Sequence, residues 1–150
     1  SASDLVAAAR TAFGRIDAVV HAAGFADRRG FRDLPREGLD RSLAVMPAAF
    51  HELASAALPD LLQSDAARVV AISSFVAHRF VPGGTFPASA AAKAALEALV
   101  KCLAIELAAT GGSANVVVPG LARSILQPGR RRRPPTRKDG WPSRTTSPLP

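Results

Sequence analysis

Residues 67–110 read ARVVAISSFVAHRFVPGGTFPASAAAKAALEALVKCLAIELAAT, and this stretch decides the fold. It opens with a short apolar run rich in β-branched residues, Arg68-Val69-Val70-Ala71-Ile72, closed by Ser73-Ser74. Such a run predicts a strand buried on both faces, as in parallel sheets. A loop with prolines and glycines follows from His78 to Pro87. A long helical segment then runs from Ser89 to Thr110, with Leu96, Leu99, Val100, Leu103 and Leu107 as its apolar stripe. Ser89 and Lys93 lie one helical turn apart. Strand, serine pair, loop and helix with an inward lysine form a unit that holds polar groups at the C-terminal end of a parallel strand. Open α/β sheets bind their ligands there.

Working outward, Ser3 is a plausible N-cap for a short helix whose apolar face is Leu5, Ala8, Ala9, Ala12 and Phe13, and Gly14 is a natural stop. Ile16 to His21 predicts a second buried strand, ended by Ala22-Ala23-Gly24. Phe25 to Arg36 reads as a loop. From 37 to 62 the three- and four-residue spacing of Leu39, Leu43, Met46, Phe50, Leu53, Ala57, Leu58 and Leu61 predicts a helix, kinked near Met46 because Pro47 lacks a backbone donor. Gly111-Gly112 stops the last helix, and Asn115 to Val118 predicts a third strand before Pro119-Gly120. Strand, helix, strand, helix, strand implies right-handed crossovers and a parallel sheet.

The formal charge of +7 is unevenly placed. Residues 1–120 carry eleven basic and eleven acidic side chains, whereas residues 121–150 carry eight basic ones against Asp139 alone. Residues 127–150, rich in arginine and proline with almost nothing to bury, are expected to form a disordered tail after a domain at 1–126. The single cysteine, Cys102, excludes an intramolecular disulfide and fits a reducing, cytoplasmic setting. The longest apolar stretch, Ala88 to Ala109, is interrupted by Lys93, Glu97, Lys101 and Glu106 and does not read as a membrane span. No secretory signal opens the chain, and its start at Ser1 rather than Met suggests an absent upstream part. His21, His51, His78 and Cys102 have no metal-ligand spacing, and no G-x-S-x-G nucleophile elbow occurs.

These pieces together resemble the short-chain dehydrogenase/reductase family. Ile16 to Gly24 is similar to the strand ending in N-N-A-G, Ile72-Ser73-Ser74 to the catalytic-serine strand, Lys93-Ala94-Ala95-Leu96 to the lysine end of Y-x-x-x-K, and Asn115 to Gly120 to the strand before the P-G turn. They stand in family order over roughly residues 1–124. The resemblance implies an α/β fold: a partial Rossmann-type, doubly wound parallel sheet equivalent to strands 4, 5 and 6 with flanking helices. It also implies an NAD or NADP cofactor, a small-molecule carbonyl or alcohol substrate, and homo-oligomers formed through helices 37–62 and 89–110. Residue by residue, Ser74 matches the serine that orients the carbonyl, and Lys93 the lysine that holds the nicotinamide ribose. Ala22, Ala23 and Gly24 match the N-N-A-G turn, and Pro119, Gly120 and Ser124 match P-G-x-x-x-T beside the carboxamide.

The departures are as informative as the matches. The chain has no tyrosine, and Ser89 stands where the family places its proton-transferring phenol. An aliphatic hydroxyl is far less acidic than a phenol that titrates near pH 10, so Ser89 is a candidate catalytic residue by position and a helix cap by chemistry. His78 is of a residue type that serves as a general acid, but it reads as a loop histidine. The family's relay asparagine aligns with Met46, and the two asparagines of N-N-A-G become His21 and Ala22. None of the eleven glycines stands two residues from another, so the G-x-G that would cradle a pyrophosphate is absent. The expectation is an oxidoreductase of impaired activity that is inactive as this chain alone. A non-catalytic dimerising module is the alternative, and nucleic-acid binding by Arg130–Arg133, Arg137 and Lys138 is the weakest reading.

Overall fold

The computed structural model describes residues 1–82 and 84–120. The disordered tail expected at 127–150 therefore lies outside the described residues, as does Ser124. The elements in chain order are α1 (Ala2–Phe13), β1 (Ala18–His21), α2 (Arg36–Leu43), a π-helical turn (Ala44–Ala48), α3 (Ala49–Gln63), β2 (Arg68–Ile72), a 3-10 turn (Phe75–Ala77), α4 (Pro87–Ala108) and β3 (Ser113–Val117).

Local chemistry accounts for the ends of α1. Its cap is Ser1 rather than Ser3: the Ser1 hydroxyl accepts from the Asp4 amide at 3.3 Å while the Asp4 carboxylate accepts from Ser1, a reciprocal box. Gly14 closes the helix at φ 75°, a left-handed conformation that a side chain resists. The kink expected near Met46 is a π-helical turn, in which the Ala49 amide reaches back to the Ala44 carbonyl. With no N–H on Pro47, widening the helix by one residue keeps neighbouring carbonyls partnered. β1 is shorter than the sequence predicts, starting at Ala18 rather than Ile16, and β3 shifts back to Ser113–Val117.

The sheet order is β1-β2-β3, all parallel, with Val20 opposite Val70 and Val70 opposite Asn115. Both connections carry helices, as parallel pairing requires. Among the described residues the helices cover one face of the sheet. Val19, Val69 and Ala71 point into that face and pack with Phe50, Ala57, Leu61, Leu96, Val100 and Leu107. Fully burying a residue such as Phe50 or Leu61 contributes about 1.5–3 kcal/mol. The opposite face carries Ala18, Val20, Val70, Ile72 and Val117, and Val20 is 66% exposed. The strands alternate because only one side is packed, a pattern unlike the two-sided burial that their composition predicts.

Candidate functional site

Three segments meet at the C-terminal ends of β1 and β2, and Lys93 joins them. Lys93 sits two turns into α4 and is 8% exposed, yet it is a long cationic side chain that burial penalises. Its Nζ donates to the carbonyl of Ile72 at 2.5 Å, immediately before Ser73-Ser74. On the other side the chain end of β1 comes close: a Cβ on Gly24 would stand 3.2 Å from that Nζ and 3.4 Å from Met46 Sδ. Gly24 thus lets backbone approach the ammonium where a larger residue would crowd it. Burial in this position pushes the Lys93 pKa below its ordinary value.

Ser74 lies half-buried at the end of β2. Its hydroxyl accepts from the Val76 amide at 3.5 Å, capping the 3-10 turn, so its position is held by the local backbone. The Phe75 amide donates to Pro119 O at 3.2 Å, bringing the Pro119-Gly120 corner beside the serine. Ala22, Ala23 and Gly24 are exposed at the end of β1. The structure therefore gathers Lys93, Gly24, the Ser74 turn and Pro119-Gly120 around one end of the sheet.

Ser89 is placed differently from both expectations. The helix begins at Pro87 with Phe86 as its cap, so Ser89 is three residues inside it. Its hydroxyl accepts from the Asp27 amide at 2.9 Å and donates to the Asp27 carbonyl at 3.2 Å, and the residue is 5% exposed. Both halves of the hydroxyl are consumed by backbone 62 residues earlier, which makes Ser89 a latch for the loop after β1. The Asp27 carboxylate in turn binds Arg29, whose guanidinium holds it at a pKa of about 2.

Sequence reasoning passed over Ser73 and Glu97. Ser73 Oγ donates to Glu97 Oε1 at 2.5 Å, and His78 Nε2 lies 2.9 Å from the same oxygen. Glu97 had counted only as an interruption of an apolar stretch. The signal was its spacing: Ser89, Lys93 and Glu97 recur every four residues and so share one face of α4. His21 is likewise buried, at 4% exposed, with its ring edge-on to Phe50 at 5.6 Å. Neither of its ring nitrogens has a hydrogen-bond partner among the described residues. Desolvation first, and the Lys93 charge second, depress its imidazolium.

This architecture has known counterparts. The family pattern described as Enoyl-(Acyl carrier protein) reductase matches residues 1–144, almost the whole chain. The chain belongs to the short-chain dehydrogenase/reductase family. Oxidoreductase UcpA of Salmonella typhimurium is 33% identical over 122 residues, which span 81% of this chain and 46% of that protein. D-beta-hydroxybutyrate dehydrogenase of Cupriavidus necator is 33% identical over 118 residues, 78% of this chain and 45% of the other. A short-chain dehydrogenase from Streptomyces avermitilis superposes with a TM-score of 0.77 at 30% identity, covering 83% of this chain and 45% of that one. One from Mycobacterium smegmatis gives 0.73 at 30%, covering 81% and 49%. The chain spans about half the length of these relatives.

This short-chain dehydrogenase/reductase has Lys93 and Ser74 at one end of the sheet and contains no tyrosine. The fit to a nicotinamide nucleotide is correspondingly uneven. A buried ammonium beside exposed strand-end backbone at Gly24 suits the sugar and ring end of such a cofactor. At the pyrophosphate end no G-x-G exists to present backbone amides. Among the described residues no helix is long and apolar enough to cross a membrane.

Proposed function

We propose that this chain carries the carbonyl-facing and nicotinamide-facing part of an NAD(P)-dependent oxidoreductase acting on a small-molecule carbonyl or alcohol, with its proton-transfer step impaired. A nicotinamide nucleotide, when bound, supplies the two-electron donor or acceptor of that chemistry. In this reading Lys93 holds the ribose next to the nicotinamide through its ammonium, Ala22, Ala23 and Gly24 form the floor beneath it, and Pro119 and Gly120 flank the carboxamide. Ser74 Oγ orients the substrate oxygen through its hydroxyl proton. Ser89 has no part in proton transfer, because its hydroxyl is latched to Asp27 and a serine is too weak an acid for the role. The observation that supports the reading is the buried Lys93 ammonium on Ile72 O, one residue before the serine pair and against Gly24.

Titration of the chain with NADH and with NADPH tests this. Saturable binding that raises the melting temperature, and that Lys93→Met abolishes, supports it. No thermal shift at millimolar nucleotide removes it.

A second reading, a non-catalytic dimerising module, draws on the outer face of α4. Ala91, Ala94, Ala98, Cys102 and Ile105 are exposed there, Ile105 at 77%, in a stripe of small and apolar residues. A mass near twice 15.6 kDa in solution, together with no nucleotide binding, would favour it. The lone exposed thiol of Cys102 fits a cytoplasmic setting for either reading.

A further inference from the structure

A buried carboxylate is costly unless donors satisfy it. Glu97 is 8% exposed and on α4, and both contacts to its Oε1 come from the segment that follows β2. Ser73, 3% exposed, donates from one side of Ser74, and His78 meets the same oxygen from the far end of the 3-10 turn. Residues 74–77 thus lie between two anchors on a single carboxylate. Within them, Ala77 N bonds Ser74 O at 3.1 Å and Phe75 N bonds Pro119 O at 3.2 Å. Lys93 stands one turn earlier on the same helix and bonds the Ile72 carbonyl, the group just before Ser73. Two side chains one turn apart on a rigid helix therefore grip consecutive residues of the strand end. Charge-assisted bonds to a carboxylate are short and strong, which suits this task.

We propose that Glu97 is the positioning residue of the site: by binding Ser73 and His78 it indexes the Ser74 turn to the helix that carries Lys93. The proposal rests on the role given to Ser74 above. Glu97 itself touches neither substrate nor cofactor in this arrangement.

Amide hydrogen exchange on the full chain tests it. Glu97→Ala is expected to speed exchange at least tenfold at Phe75 and Ala77 while leaving Val69 and Val70 in the middle of β2 unchanged. Glu97→Gln keeps an oxygen acceptor for Ser73 and restores most of the protection. Uniform acceleration throughout the sheet, or none at the turn, overturns the proposal. If Glu97→Ala does not fold, Ser73→Ala and His78→Gln each remove one anchor, and each is expected to loosen the turn alone. Where the wild-type chain reduces a carbonyl, Glu97→Ala lowers kcat and leaves the nucleotide KM unchanged. Nucleotide binding by the wild type is scored separately. Its failure removes the role of Ser74, and the exchange pattern still decides whether Glu97 holds the turn.

Discussion

The two halves of helix α4 bury side chains of different kinds. From Pro87 to Glu97 the buried face includes Ser89, Lys93 and Glu97, and each makes a hydrogen bond outside the helix: Ser89 to Asp27, and Lys93 and Glu97 to the consecutive residues Ile72 and Ser73. From Ala98 to Ala108 the buried face is Val100, Leu103 and Leu107, packed into the core with Phe50, Leu61 and Val69. The second half stabilises by area and close packing, which are non-directional. The first half trades that stabilisation for direction, since a hydrogen bond contributes little net energy but fixes where its partner lies. The polar half faces the C-terminal ends of the strands, where the site is, and the apolar half faces the core. Stability and site geometry are thereby assigned to different turns of one helix.

Substitutions on α4 break or sharpen this contrast. The largest effect is expected from Leu107→Ala, a fully buried residue whose truncation costs about 2–5 kcal/mol. At about 4 °C per kcal/mol for a domain of this size, the melting temperature falls by roughly 8 °C or more, read by calorimetry. Nucleotide affinity measured well below the transition stays unchanged.

Ser89→Ala comes next, because it leaves the Asp27 amide and carbonyl without their partner at a cost of about 1–3 kcal/mol. Exchange should rise at Asp27 and not at Leu103, and equal rises at both would erase the distinction between the halves. Lys93→Met should alter the unfolding free energy obtained from denaturant melts by no more than about 1 kcal/mol, since losing the Ile72 bond is offset by removing a buried charge. Nucleotide binding, in contrast, should disappear. A large loss of stability here would show that the polar half also holds the fold.

The smallest effect concerns acid. Arg29 keeps the Asp27 carboxyl at a pKa of about 2, below the ordinary carboxylate value near 4. A depressed carboxyl pKa means that the unfolded chain binds the proton first. The pairing therefore stabilises fully above about pH 4 and is lost as the pH falls toward 2. Thermal melts of wild type and Asp27→Asn between pH 5 and 2 should converge as the pH drops, since the variant lacks this titration. Parallel curves would show that the pair contributes nothing to holding the loop.

Much of the fold was legible from residues close together in sequence. The β-branched runs at Val69-Val70 and Val19-Val20, the three- and four-residue spacing of leucines in 37–62 and 89–110, and Gly14 as a stop all act over a few residues, where backbone preference and side-chain period are encoded. Pro47 announced a disturbance of its helix for the same reason, although whether the helix would bend or widen depended on the core against which Met46 packs. Lys93 and Ser74 were expected at one strand end because strand, loop and helix follow one another directly in the chain.

Other features depended on partners that no local pattern names. Ser89 by itself is a hydroxyl four residues before a lysine. Only the folded chain brings it to Asp27, 62 positions away, and so makes it a latch instead of an acid or a cap. Glu97 by itself is an interruption in an apolar run, and its meaning comes from Ser73, 24 positions earlier. Local sequence determines backbone conformation and which face of an element is apolar, because those depend on neighbours in the chain. Which donor meets which acceptor depends on how finished elements pack, and for this protein the tertiary structure decided it.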